Sequence, residues 1–231
     1  MIGNIALADD DKVITVVCRL HPGLVDSDSK GTMIDVLKAV EKKIGYSFNI
    51  HSFGPARAVE EFFAGKYDLL CPVSESEQTP DRIDKFVRTS TIFPRIDYFF
   101  YRKNGPNLST IESGKGKTIG ANRSGYEPWF KSHYKDGEVK IEWVVENTQN
   151  ALKLASGRLD IAFMNEQTGI GSFKKVGVLD QVTYDKSNPM IKEDAFFALQ
   201  NNDRGKMLNA LISKAIDELH KEGFIKKLGL E

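Results

Sequence analysis

The chain has 231 residues, about one and a half times the ~150 of a typical domain, so one large domain or two small lobes are the expected counts and a peptide hormone or lone zinc module is excluded. Its 32 lysines and arginines balance 32 aspartates and glutamates, which removes the positive field that non-specific binding to nucleic acid or anionic lipid needs and leaves small-molecule work as the leading expectation. With 41% hydrophobic and 10% aromatic residues the chain can bury a real core, and no apolar run approaches the roughly 20 residues of a membrane span.

The first residues read MIGNIALADDD. Ala6-Leu7-Ala8 followed by three aspartates is similar to the small-residue end of a secretory signal, and the alternative is a disordered N-terminus over residues 1–12 in which these residues meet by chance. VITVVC, 13–18, is a β-branched apolar run expected of a strand covered on both faces. Residues 31–44 then place Met33, Ile34, Leu37, Val40 and Ile44 at helical spacing. A strand over 46–50, a helix over 55–64 and a strand over 67–71 complete a β-α-β-α-β order, the pattern of a parallel sheet with helices on its faces. The second half repeats it, with strands expected at 117–121, 139–144 and 159–164 and helices at 127–133 and 148–156. Between and after these units lie two aromatic extended runs, DYFFYR at 97–102 and DAFFAL at 194–199, expected to cross between lobes. An amphipathic helix over 204–228, interrupted at Gly223, is expected to pack back on the first lobe. The resulting class is α/β, with 13–100 and 196–231 as one lobe and 101–195 as the other. Cys18 and Cys71 end strands that should be neighbours about 4.8 Å apart, so a disulfide is geometrically conceivable in an oxidising compartment.

Several strings occur in an order that resembles the extracellular solute-binding proteins of family 3, the amino-acid type of periplasmic receptor that feeds ABC importers. They are Pro22 after the first strand, the helix from Gly31, Gly65-Lys66-Tyr67-Asp68, Thr79-Pro80-Asp81-Arg82, Gly116-Lys117-Thr118-Ile119-Gly120, Ser156-Gly157-Arg158-Leu159-Asp160 and the closing helix with Glu222-Gly223. The resemblance implies the periplasmic-binding-protein type II fold, two α/β lobes joined by two crossover strands and closing on a small solute. It further implies an exported, periplasmic monomer that hands its solute to an ABC transporter permease, with no cofactor and no nucleic-acid partner.

In open parallel sheets ligands bind outside the carboxyl ends of the strands, which selects the loops after Cys18, Ile50, Cys71, Ala121 and Met164. The resemblance makes Arg82, closing the Thr79 string, the clamp on a ligand carboxylate; the alternative is an arginine tying down its own loop. Ser74 and Glu75 open the same polar loop, whose alternative is simple solvation. On the second lobe Arg123, Ser124, Gly125 and Tyr126 lie between a strand and a helix, where free N–H groups favour an anion and Ser124 either caps the helix or bonds the ligand. Asn165 stands where amino-acid receptors of this family commonly carry an aspartate for the α-ammonium. An amide cannot neutralise that charge, so an amino acid would need Glu166, Glu75 or Glu77 as counter-ion, or the ligand has no ammonium. Arg57 sits in the first turn of a helix, where a cation opposes the dipole, and is a candidate for the cleft or for the lobe surface. His21 is a candidate cover for the ligand or a structural histidine, Phe53 and Tyr126 are candidate walls, and Trp129 defaults to core.

An enzyme reading, a cyclohexadienyl-type dehydratase on the same fold, would use Glu75, Glu77 or Glu166 as the acid. Against it, the sequence holds no G-x-S-x-G, H-E-x-x-H or G-x-x-x-x-G-K string, and its histidines at 21, 51, 133 and 220 show no metal-ligand spacing. A sensor module with the same pocket and a signalling partner is the other alternative.

Overall fold

The computed structural model describes residues 12–21, 23–75, 82–122 and 126–230. The first unit is β1 (Val13–Arg19), α1 (Thr32–Ile44), β2 (Ser47–Phe53), α2 (Pro55–Phe63) and β3 (Leu69–Ser74), followed by β4 (Phe86–Arg88) and the long strand β5 (Phe93–Arg102). The second is α3 (Ile111–Gly114), β6 (Thr118–Asn122), α4 (Glu127–His133), β7 (Lys140–Val144), α5 (Asn147–Ala155), β8 (Ile161–Asn165), α6 (Glu166–Lys175) and β9 (Val182–Thr183). β10 (Ile191–Gln200), α7 (Asp203–Lys221) and α8 (Phe224–Lys227) close the chain.

The strands form one continuous sheet in the order β2-β1-β3-β10-β5-β8-β6-β7, with β4 on β10 and β9 on β5. Within each unit the pairings are parallel, β1 with β2 and β3, β6 with β7 and β8. The units meet through antiparallel ladders. β5 pairs with β10 over Phe93–Asp97 and with β8 over Asp97–Tyr101, while β10 pairs with β5 over Ile191–Ala195 and with β3 from Ala195 onward. The two aromatic runs are therefore the strands that pass from one unit to the other.

Side chains alternate across a sheet, and the cores follow that alternation. Phe197 joins Ile14, Val16, Leu37 and Ile216 in a core under α1 and α7, whereas its neighbour Phe196 joins Val17, Phe62, Leu70 and Phe86 under α2. Likewise Phe99 packs with Phe130 and Phe163, and Phe100 with Leu154, Met164 and Phe173. The closing helix does lie on the first unit: α7 buries Leu208, Ile212 and Ile216, and Lys43 of α1 reaches Glu222 at 2.6 Å. The helix breaks at Gly223, whose φ of 67° is the left-handed conformation that favours glycine.

Beyond shifts of a few residues at strand ends and the short α3, β4 and β9, which were not expected, two elements depart from the sequence expectation. β5 begins at Phe93 rather than Asp97, which brings Arg95 into the crossing strand. α6 was not expected, because Gly169 and Gly171 weaken its helical signal. Gly169 is there for packing: a Cβ at this position would stand 2.7 Å from the Phe100 ring.

Candidate solute-binding site

The carboxyl ends of β1, β3, β6 and β8 converge with the middle of β5 and β10 on a cavity of about 430 Å³, within the size range of small-molecule sites. Its two sides differ in charge. Arg19, His21, Ser74, Arg82 and Arg95 line it from the first unit and the crossing strand; Asn122, Tyr126, Asn147, Asn165 and Thr168 line it from the second. Among the described lining residues, Glu60, exposed on α2, is the single acid.

Arg95 is held from behind. Its Nε donates to Asp97 Oδ1 (3.0 Å), Nη2 to Asp97 Oδ2 (2.5 Å), and Nη1 to Glu193 Oε1 (2.7 Å) and Ser74 Oγ (2.8 Å). The Glu193 contact is a cross-strand pair, since Arg95 and Glu193 are in register between β5 and β10. Asp97 is fully buried and also hydrogen-bonds the Tyr126 hydroxyl; burial and that carboxylate push the Tyr126 phenol up, so it stays protonated. The Arg95 guanidinium lies 5.5 Å from the Tyr126 ring centre, joining the two sides of the cavity. Arg19 donates to the Pro72 carbonyl, tying the ends of β1 and β3. His21 is pushed down to about 3 by burial first and then by Arg19 and Arg95, so its imidazole is neutral.

On the other side, Asn165 is the N-cap of α6: Oδ1 accepts from the Thr168 N–H (3.2 Å) and Nδ2 donates to the Ile96 carbonyl (3.3 Å). Asn122 donates to the Val145 carbonyl (2.7 Å). Asn147, in the first turn of α5, is 8% exposed, and its buried Oδ1 has no hydrogen-bond partner among the described residues.

Of the residues selected from the sequence, His21, Ser74, Arg82, Tyr126 and Asn165 come together at the cavity. Arg57, Phe53 and Glu75 are not brought there. Ala56, Val59 and Glu60 form the stripe of α2 that faces the cavity, and Arg57 lies about 100° round the helix from Ala56. Arg57 instead covers the Phe53 ring at 4.0 Å and reaches Glu61 at 3.8 Å, with its side chain 64% exposed. Phe53 packs edge-on against Tyr67. Glu75 takes Arg88 at 3.0 Å and the Asp194 N–H at 3.4 Å. Glu166, the other counter-ion or proton donor considered, accepts from the Tyr184 hydroxyl and pairs with Lys186 at 3.1 Å, away from the cavity. Trp129 is core, against Phe99 and Phe163. Thr79, Glu77, Arg123, Ser124 and Gly125, with Pro22 and residues 1–11, lie outside the described residues. Sequence reasoning passed over Arg19, Arg95, Asn147 and Thr168, and took Asn122 only as the residue opening the loop between β6 and α4. Arg19 and Arg95 carried a signal, a charge set directly beside an apolar strand run.

Cys18 and Cys71 are in register on β1 and β3, buried, and present as thiols. Burial and a hydrogen bond with Cys18 raise the Cys71 thiol. Among the described residues no group of three or more His, Cys, Asp or Glu could hold a metal ion, and no helix is long and apolar enough to cross a membrane.

The family described as bacterial extracellular solute-binding proteins, family 3, matches residues 23–230. The chain belongs to this family. It is 27% identical over 233 residues to the "Probable amino-acid-binding protein YxeM" of Bacillus subtilis (strain 168), a match spanning 98% of this chain and 86% of that protein. Its fold is similar to that of the probable amino-acid ABC transporter extracellular-binding protein ytmK from Bacillus subtilis (TM-score 0.78, 19% identity, 95% of this chain and 97% of that one). A histidine kinase sensor domain with similarity to periplasmic binding proteins is comparably close (TM-score 0.77, 16% identity, 94% of each chain). The fold is thus the type II periplasmic-binding-protein fold, and membership in this family makes the chain a solute-binding receptor rather than an enzyme.

Proposed function

We propose that this receptor captures a small carboxylate-bearing solute, an amino acid or a related compound, by hinge closure in the periplasm and delivers it as a monomer to the permease of an ABC importer. The observation that carries the reading is the cavity at the strand ends, with Arg19, Arg82 and Arg95 along one side. A planar guanidinium matches a carboxylate in bidentate geometry, and Arg82 is assigned the solute's carboxylate, with Ser74 beside it. Two lobes, 13–100 with 196–231 and 101–195, would hinge on β5 and β10; the partner changes at Asp97 and Ala195 support a handover close to those bounds. A solute that touches both lobes only when they are shut shifts the open–closed balance by its differential binding energy. The names of the relatives, an amino-acid-binding protein and an amino-acid ABC transporter extracellular-binding protein, support the solute class and the partner.

The test is thermal unfolding of the purified chain against amino acids, di- and tricarboxylates, aromatic acids and small anions, since a ligand bound only by the folded state raises the midpoint. Stabilisation by carboxylates, with the compound recovered unchanged, is expected. Stabilisation by uncharged compounds alone would refute the reading.

A further inference from the structure

The chain has two cysteines, Cys18 and Cys71, and the fold sets them side by side. They are in register on the parallel strands β1 and β3, and neighbouring strands run about 4.8 Å apart, inside the ~4.4–6.8 Å between Cα atoms that a disulfide spans. In-register residues of adjacent parallel strands point to the same face. Both side chains accordingly enter the core under α1 and α7, where the two thiols share a hydrogen bond. With no third cysteine in the sequence, a single pairing within the chain exists.

Solute binding makes no use of these sulfurs, since neither cysteine lines the cavity. The residues that follow them do line it: Arg19 donates to the Pro72 carbonyl at the cavity wall. A bond between the sulfurs would join the same two strands one residue behind that contact, without entering the cavity.

Both cysteines are 0% exposed. A thiol must ionise and be reached before it exchanges with a disulfide, and burial holds the Cys71 thiol well above its usual range. In the folded chain the pair is therefore closed to oxidant and reductant alike. The core that covers it draws Met33 and Leu37 from α1 and Ile212 and Ile216 from α7, and until those elements dock the thiols are open to the surroundings. The family is extracellular, and disulfides persist outside the reducing cytosol.

We infer that Cys18 and Cys71 form a disulfide as the chain folds in oxidising surroundings, and that the finished core then seals the pair in that state. The thiolate of one cysteine attacks a small-molecule disulfide, RSSR, giving a mixed disulfide on the protein and releasing RS⁻. The thiolate of the other attacks the protein sulfur of that mixed disulfide, closing the Cys18–Cys71 bond and releasing the second RS⁻. Two electrons pass from the pair to RSSR, and the two protons given up by the cysteines end on two RSH. The bond closes a loop of about 50 residues in the unfolded chain, which should raise the unfolding midpoint by roughly 5–15 °C.

The experiment refolds the reduced full chain from denaturant in a buffer of glutathione disulfide and glutathione, and holds an already folded, reduced sample in the same buffer for the same time. Acid quenching, intact mass and maleimide labelling in denaturant count the thiols. The refolded chain is expected to be lighter by two hydrogen atoms, to take up no maleimide, and to unfold cooperatively with the raised midpoint. The folded sample is expected to keep both thiols. Two free thiols, glutathione adducts or disulfide-linked dimers after refolding would overturn the pairing, and so would a bonded chain that melts below the reduced one. Oxidation of the folded sample as fast as the refolding one would overturn the sealing. The same count on chain exported by a bacterial host and alkylated at lysis does not depend on refolding yield: a single bond is expected, and two free thiols there would overturn the inference.

Discussion

Replacing Arg95 by methionine removes the cation from a site where its two carboxylates have little access to water. Asp97 is 0% exposed and the Glu193 side chain 8%. The substitution keeps most of the side-chain volume but deletes four hydrogen bonds of 2.5–3.0 Å, leaving Asp97 with the Tyr126 hydroxyl. Breaking a buried pair from one side costs about 3–5 kcal/mol, because the remaining charge is stranded. At about 2–4 °C per kcal/mol for a chain of this size, the midpoint should fall by roughly 6–20 °C. Urea unfolding followed by circular dichroism measures the loss, and the fluorescence of Trp129 and Trp143, both packed in the second unit, reports whether that unit is the part affected. Adding Asp97→Asn to Arg95→Met should recover part of the loss, giving a positive coupling between the two sites. A loss under about 1 kcal/mol would refute the reasoning and reduce the cluster to a solvated contact.

Other perturbations read other parts of the molecule. Arg82→Ala should abolish most carboxylate binding by titration while leaving the midpoint of the empty protein nearly unchanged; joint loss of both would make Arg82 structural. His21, at about 3 in the folded chain against 6.5 unfolded, binds fewer protons when folded, so it subtracts stability as the pH falls from 6.5 towards 3. The slope is at most about 1.4 kcal/mol per pH unit and is reduced by cavity water, and His21→Asn should flatten the unfolding free energy across that window. Gly205→Ala places a Cβ 1.9 Å from the Gln200 carbonyl oxygen, a backbone atom that cannot rotate aside, so chemical denaturation should show a loss of about 1–3 kcal/mol or more. The Cys18 and Cys71 thiols, both buried, should react with a maleimide only once the chain is unfolded, which mass spectrometry before and after denaturant would show.

Much of the architecture was legible because strand and helix periods depend on local composition. The run 13–18, the stripe Met33-Ile34-Leu37-Val40 and the two aromatic strands announced themselves, and the register of Cys18 with Cys71 followed from strand order. The site was legible only where a loop position sufficed, as for Arg82, Ser74 and Asn165. Arg95 was hidden because its role depends on Glu193 across the ladder and on Asp97 two residues along the same strand, neither of which spacing relates to a cavity. Asn147 looks like any polar residue opening a helix, and only the assembled fold brings it to the cavity. Arg57 misled for the opposite reason. A cation in a first turn is electrostatically out of place, but the cause is the Phe53 ring and Glu61 rather than a ligand.

The chain order of the cores bears on how the molecule is made. The core under α1 draws Phe197, Leu199, Leu208, Ile212, Ile216, Ile225 and Leu230 from the last stretch of the polypeptide. The buried residues of the second unit's two cores, by contrast, all fall between Tyr98 and Val182. During synthesis from the N-terminus, β3 therefore emerges early as an apolar strand whose free edge has no partner until Ala195–Leu199 arrive to pair with it. Meanwhile the inserted unit has everything it needs to close on itself. The half of the protein that is translated first is thus the half that finishes folding last, and an aggregation-prone edge stays open for the whole of that interval.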